Sequence, residues 1–383
     1  MSLSANIRIA WLLPVAFFYW QPVLSELAKL YPDTMVFTGR CPGYAKGYEN
    51  ALNIKVVGER KVFRKKAQGY GSGFTYLSLK IIGELFQFKP TLIFASSFGV
   101  WTILALLLKP FGRWRVIIAY EGSAPGVDFL NSPVRLFARR LMVKWADSYI
   151  TNSKQGEKYL VEVLNASKED TLTVPYEIPS LESLLPDADT HLSTVSQLDF
   201  NNIQRPLFLF LGRIIPRKGL KTLLTACSIL QARGCNNFAL VVVGDGDQQQ
   251  ELETYSKTEG LDGLVHWMGS VPYEQVSIYF QEADVFVLPT LEDTWGVVIL
   301  EAMLLGKAIL ASTGAGASEL IKDGGNGYTF EPQKPEVLAD LMQKFIDNPD
   351  IIPAMQRTSK IIMESHTPVI SSRSLSNVVE ALV

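Results

Sequence analysis

Asp293 and Glu301 stand eight residues apart in the stretch PTLEDTWGVVILEAMLLGKAILAS, Pro289 to Ser312. Between them come Thr294, Trp295 and Gly296, and the pattern then predicts a helix from about Val297. Upstream, LGRIIPRKG (Leu211 to Gly219) places Arg213 and Lys218 just past an apolar run, Leu207–Leu211. A carboxylate accepts hydrogen bonds from two neighbouring hydroxyls, as a ribose diol or a hexose edge presents them. Arg grips phosphate oxygens through paired N–H bonds, and Lys supplies a movable point charge. A helix N-terminus adds unpaired N–H groups and partial positive charge. Gly296 lets main chain approach a ligand closely. Together these groups suit a sugar attached to phosphate. Most Glu, Arg and Lys residues are simply solvated. Glu301, however, is flanked by Val297, Val298, Ile299, Leu300, Ala302, Met303 and Leu304. A carboxylate in such a helix is costly unless something pairs with it.

A scaffold must bring these loops to one edge. Along the chain, apolar strand-like runs alternate with amphipathic segments, the pattern of a doubly wound α/β fold. In the first half the expected strands are 7–13, 35–38, 54–57, 91–95, 115–119 and 148–152, with helices at 21–30, 75–88, 98–108, 133–145 and 154–164. The second half repeats the logic, with strands at 207–211, 239–243, 265–268, 284–288 and 308–311. Its helices are expected near 219–233, 247–259, 273–281, 297–305, 316–322 and 335–347, and a further helix over 374–382.

The 383 residues exceed what one core usually serves, so two domains are expected. Hydrophobic content of 48% against 19% charged excludes a disordered chain. The expected division is 1–180, a polar linker at 181–204, a second domain at 205–365, and a C-terminal segment at 366–383. Cys41, Cys227 and Cys235 show no metal spacing and read as reduced thiols of a cytosolic protein. His191, His266 and His366 lie far apart, so no zinc site is expected. No segment reads as a signal peptide or a spanning helix, and a soluble or peripheral cytoplasmic protein is expected. Charge is divided unequally. Residues 1–180 hold 22 Lys and Arg against 13 Asp and Glu, a net of +9, which leaves −11 for the rest. Arg60–Lys66 (RKVFRKK) is the densest basic run, with Arg113, Arg115, Arg135, Arg139 and Arg140 elsewhere. A basic half suits an anionic membrane at its inner face or a lipid-phosphate acceptor, and equally an ordinary solvated surface. Nucleic acid is not an expected partner, because no recognition motif carries these cations.

With these motifs the chain resembles the retaining glycosyltransferases of family 4, which have the two-domain GT-B fold. The matching features are a carboxylate, seven residues and then Glu (Asp293 to Glu301), LGRIIPRKG, and HWMGSVPYEQVSIYFQEADVFVLPT. The likeness is detailed over 207–330 and looser over the first half. It implies two Rossmann-like doubly wound domains facing across a cleft, with a C-terminal helix that crosses back to the first. It implies that Arg213 and Lys218 bind a donor diphosphate and Glu301 the ribose. Asp293 and the main chain near Thr294, Trp295, Gly296, Val297 and Val298 would hold the donor sugar. Gly244, at the strand end in VVVGDGD, and Met268 and Val271, in the base-contacting loop MGSVP, would complete the donor site. The base is left open between uracil and guanine, so the donor is a UDP- or GDP-sugar. The first acid is usually Glu; here Asp293 fills the place if Trp295–Gly296 sets the register, with Glu292 adjacent. No cofactor or metal is implied.

The first half would bind the acceptor, a glycan, lipid-linked sugar or small molecule. PVAFFYWQP (14–22) stands where many family members have a Gly-rich loop. Phe18, Tyr19 and Trp20 suit stacking on sugar faces or a lipid chain, and equally core packing. AYEGSAPG (119–126) has Tyr120 and Glu121 where many members place a His. Glu121 is a candidate to orient the acceptor hydroxyl or stabilise positive charge on the sugar. Catalytic roles thus fall on Glu121, Asp293, Arg213 and Lys218. Two other readings remain: a non-catalytic nucleotide-sugar binder, and an epimerase or phosphorylase on the same fold.

Overall fold

The computed structural model describes residues 7–64, 73–185, 200 and 202–383. The chain divides into two compact units, one of 1–183 with 366–383 and one of 184–365. Lys65 and Lys66 of the basic run, and most of the expected linker, lie outside the described residues.

The first unit holds β1 (Ile9–Leu13), β2 (Thr34–Thr38), β3 (Asn53–Val56), β6 (Leu92–Ser96), β7 (Arg115–Tyr120), β8 (Ser148–Thr151) and β9 (Thr171–Thr173). They form one sheet in the order β3-β2-β1-β6-β7-β8-β9, and every pairing is parallel. β1, β6 and β7 are buried almost throughout, so they read as apolar runs rather than alternating ones. Helices α1 (Gln21–Leu30), α2 (Ile81–Phe88), α3 (Val100–Gly112), α4 (Pro125–Asp128), α5 (Pro133–Trp145), α6 (Lys154–Lys158) and α7 (Leu181–Leu184) join them. The helix expected from 75 starts later, because β4 (Lys61–Arg64) and β5 (Gly73–Tyr76) make an antiparallel hairpin first. The helix expected over 154–164 is a short α6 followed by a π-turn, Tyr159–Val163.

The second unit holds β10 (Leu207–Leu211), β11 (Ala239–Val243), β12 (Val265–Gly269), β13 (Val285–Leu288), β14 (Ala308–Ser312) and β15 (Gly327–Phe330), again parallel, in the order β12-β11-β10-β13-β14-β15. Its helices are α8 (Leu220–Ala232), α9 (Gln249–Thr258), α10 (Val276–Glu282), α11 (Val297–Leu304), α12 (Pro335–Asp347) and α13 (Ile352–Glu364). Phe208, Phe210, Leu223, Leu240, Val287, Leu338 and Phe345 centre its core. The last helix, α14 (Pro368–Leu382), returns to the first unit. Leu375 and Val379 are fully buried there, Tyr31 and Ser376 share a hydrogen bond of 2.7 Å, and Ser371 Oγ donates to the Pro175 carbonyl at 2.6 Å. Among the described residues no helix is long and apolar enough to cross a membrane.

Candidate active site

In each sheet the strand order reverses once, between β1 and β6 and between β10 and β13. Loops leaving the carboxyl ends of such a pair run in opposite directions and open a crevice, where ligands of open parallel sheets bind. The second unit puts Lys218 after β10 and Asp293 after β13, one on each side of its reversal.

Main-chain contacts stitch the two loops together. Leu291 N donates to the Arg217 carbonyl at 2.7 Å, and Thr290 Oγ1 to the same oxygen at 2.9 Å. Gly219 allows this approach. Its φ is +68°, and a Cβ there would stand 2.0 Å from the Pro289 carbonyl oxygen. The result is an ion pair between Lys218 Nζ and Asp293 Oδ2, with Arg217 Nη1 3.6 Å from the same oxygen. Asp293 is 6% exposed. Its main chain is held by Gly314 O at 2.8 Å and Gly316 N at 3.1 Å. Glu292 offers its carbonyl to Arg217 at 3.3 Å, so the acid whose carboxylate meets Lys218 is Asp293.

Gly296, with φ +86°, turns the chain into α11. Val297 and Val298 are half-buried at its first turn, whose amides have no acceptor within the helix. Trp295 is 1% exposed, so its ring belongs to the core and only main chain remains for a ligand. One turn further on, Glu301 is buried and accepts a hydrogen bond of 2.8 Å from Tyr273 Oη. Burial pushes its carboxyl up to about 7, against the opposing pull of the Tyr273 hydrogen bond. The same burial, with Glu301 beside it, raises the Tyr273 phenol, which therefore stays the donor.

Arg213 is exposed at the start of the loop after β10. Gly244 follows β11 and donates to Gly269 O at 2.7 Å, while Met268 and Val271 are half-buried at the end of β12. Asp245 and Asp247 of GDGD are both exposed. Among the described residues no three His, Cys, Asp or Glu side chains gather as a metal site requires. Sequence reasoning missed Tyr273 and Arg217. Arg217 lies beside Lys218 in LGRIIPRKG, and that adjacency was the available signal. Tyr273 had none, since only folding brings it to Glu301.

In the first unit Glu121 follows β7, one strand removed from the other reversal. Ser96 Oγ lies 3.4 Å from its Oε1, and Asn152 Nδ2 donates to its carbonyl at 2.9 Å. Phe18 and Tyr19 are half-buried in a short 3-10 turn, Phe18–Trp20. Two expected acceptor contacts are core instead. The Trp20 ring packs 5.9 Å from Trp11 and 5.3 Å from Tyr176. Tyr120 is buried, with its hydroxyl given to Asp128 and its ring 5.3 Å from Tyr159. Asp128 also accepts from Ser123 Oγ at 2.5 Å, so this network anchors the loop that carries Glu121.

Residues 198–361 match the family model described as glycosyl transferases group 1. The chain is 26% identical over 227 residues to an alpha-D-kanosaminyltransferase of Streptomyces kanamyceticus, covering 57% of this chain and 58% of that protein. Against the amylovoran biosynthesis glycosyltransferase AmsK of Erwinia amylovora it is 29% identical over 189 residues, 47% of this chain and 46% of the other. The chain thus spans about half the length of the curated relatives it matches. Among solved structures, Anabaena Alr3699/HepE in complex with UDP superposes with a TM-score of 0.74 at 18% identity, covering 98% of this chain and all of that one (100%). The sucrose-phosphate synthase of Thermosynechococcus elongatus gives 0.71 at 18% identity, covering 98% and 100%. The fold is GT-B, and residues 198–361 are similar to the glycosyl transferases group 1 family.

Proposed function

We propose that this protein is a retaining glycosyltransferase of family 4. It moves a hexose-type sugar from a nucleoside-diphosphate sugar to a glycan, a lipid-linked sugar or a small-molecule acceptor. The observation that carries this reading is the placement of Lys218, Asp293 and Glu301 around the reversal point of the second sheet. The N-terminus of α11 lies between the two acids.

Each residue has a physical task. Lys218, Arg213 and the first amides of α11 stabilise the charge that grows on the leaving diphosphate. A donor diphosphate competes with Asp293 for Lys218, which frees Asp293 to accept sugar hydroxyls. Glu301, held by Tyr273, accepts the ribose hydroxyls. Gly244, Met268 and Val271 border the base. Glu121 orients the acceptor hydroxyl or faces the positive charge that develops on the sugar. The relatives crystallised with UDP and with UDP-glucose support a uridine donor. The basic first half supports an acceptor presented near an anionic membrane.

Turnover with a panel of UDP- and GDP-sugars, with product analysis by mass spectrometry and NMR, tests this reading. Transfer with the anomeric configuration kept is expected. An epimerised or phosphorolysed donor, or no chemistry on a donor that binds, would contradict it. Loss of transfer with donor binding intact in Glu121→Gln is expected, and unchanged transfer would remove Glu121 from the mechanism.

A further inference from the structure

Among the described residues, one face of the first unit is apolar, basic and exposed. The connections β6–α3–β7 and β7–α5–β8 step the same way across the sheet. Right-handed crossovers therefore lay α3 and α5 side by side on one face. Lys109 Nζ ties them together by donating to the Trp145 carbonyl at 3.0 Å. α5 buries Met142 and Val143 on its inner side. Its outer side should then be polar, and it is not. Val134, Phe137, Leu141 and Trp145 recur at intervals of three and four on one outward stripe, Val134 at 79% and Phe137 at 64% exposure. α3 turns Phe111 outward at 76%. Neither helix contains an Asp or Glu. Exposed Arg135, Arg140 and Lys144 flank the stripe, and Arg113 follows α3, while Arg115 beyond it is paired with Asp147 at 3.0 Å.

We propose that the α3–α5 face docks on an anionic lipid bilayer. Phe111, Phe137 and Trp145 enter the interface, and the flanking cations meet the headgroups. Aromatic rings favour that depth, and cations near an anionic surface add attraction that salt screens. Charge selects this occupant. A second copy docked through the same face would set like cations against each other, because a two-fold interface pairs a surface with itself.

The test is sedimentation of the full chain with phosphatidylcholine vesicles, with and without phosphatidylglycerol. It needs neither donor nor acceptor, so its failure leaves the transferase reading intact. Binding only to the anionic vesicles, weakened by salt, is expected. Arg140→Gln with Lys144→Gln should weaken it on the order of tenfold or more, since each cation near such a surface contributes about fivefold. Phe137→Ser with Trp145→Ser should abolish it, with melting curves confirming that both variants fold. Three results would overturn the proposal. They are no partition onto anionic vesicles, equal partition onto neutral ones, and a dimer in light scattering that the Phe137→Ser/Trp145→Ser variant turns monomeric.

Discussion

Glu301 links the stability of the second unit to the donor site proposed for it. Its carboxyl is lifted to about 7 by burial, so the folded chain holds that proton more tightly than the unfolded chain does. The stability it contributes is complete below about pH 4.5 and is lost as pH climbs through about 7. Glu301→Gln removes that loss. The variant should be more stable than the parent at about pH 8, by on the order of 3 kcal/mol, and about equally stable at pH near 4.5. The parent should bind donor more tightly as pH rises through about 7, because the ionised carboxylate is the better acceptor for ribose hydroxyls. Calorimetry at several pH values checks both. Lys218→Ala removes a charge-assisted contact and should weaken donor binding by roughly tenfold to a hundredfold. Glu301 stood out because the seven residues nearest it are apolar and a carboxylate there needs a partner, which the fold supplies in Tyr273. Trp20 and Tyr120 were misjudged because an aromatic side chain fits a core and a sugar platform equally well. Burial among Trp11, Tyr176 and Tyr159 decides between them.

At the scale of elements, the site depends on close backbone packing at one sheet edge. Gly219→Ala would push against the Pro289 carbonyl and force a side chain into φ +68°. A cost on the order of 1–3 kcal/mol is expected, with donor affinity lost because the β10 loop can no longer place Lys218 beside Asp293. Denaturant melts and donor titration together would show both effects; a stable variant with normal affinity would contradict this account. Lys307 works in a similar way at the end of α10. Its buried ammonium donates to the carbonyls of Gln281 and Ala283 at 3.1 and 2.9 Å, although burial lowers its pKa to about 8. Lys307→Met should destabilise the second unit by about 1–3 kcal/mol by orphaning those carbonyls. Long apolar strands such as β10, β11 and β14 were plain in the sequence. β9, β15 and the β4–β5 hairpin were not, because they are short, β9 and β15 are only part-buried, and what fixes them is pairing.

At the scale of the whole molecule, each unit repeats one plan with opposite charge, basic in the first half and acidic in the second. α14 belongs to the first unit although it ends the chain. Its Leu375 is fully buried, so Leu375→Ala should cost about 2–5 kcal/mol and lower the melting of that unit. The alternation of strands and helices made the doubly wound fold legible. It could not show that the helix over 374–382 begins at Pro368, or that α13 precedes it, since both depend on tertiary burial. Lys218, Arg213, Asp293 and Glu301 are proposed to form a nucleotide-sugar site. The most direct measurement is thermal shift across UDP- and GDP-sugars on the native chain, Arg213→Ala and Glu301→Ala. A donor that binds the folded state alone raises its melting temperature by mass action. A rise with one nucleotide sugar that disappears in both variants is expected. A rise that survives in both would place the donor elsewhere and contradict it.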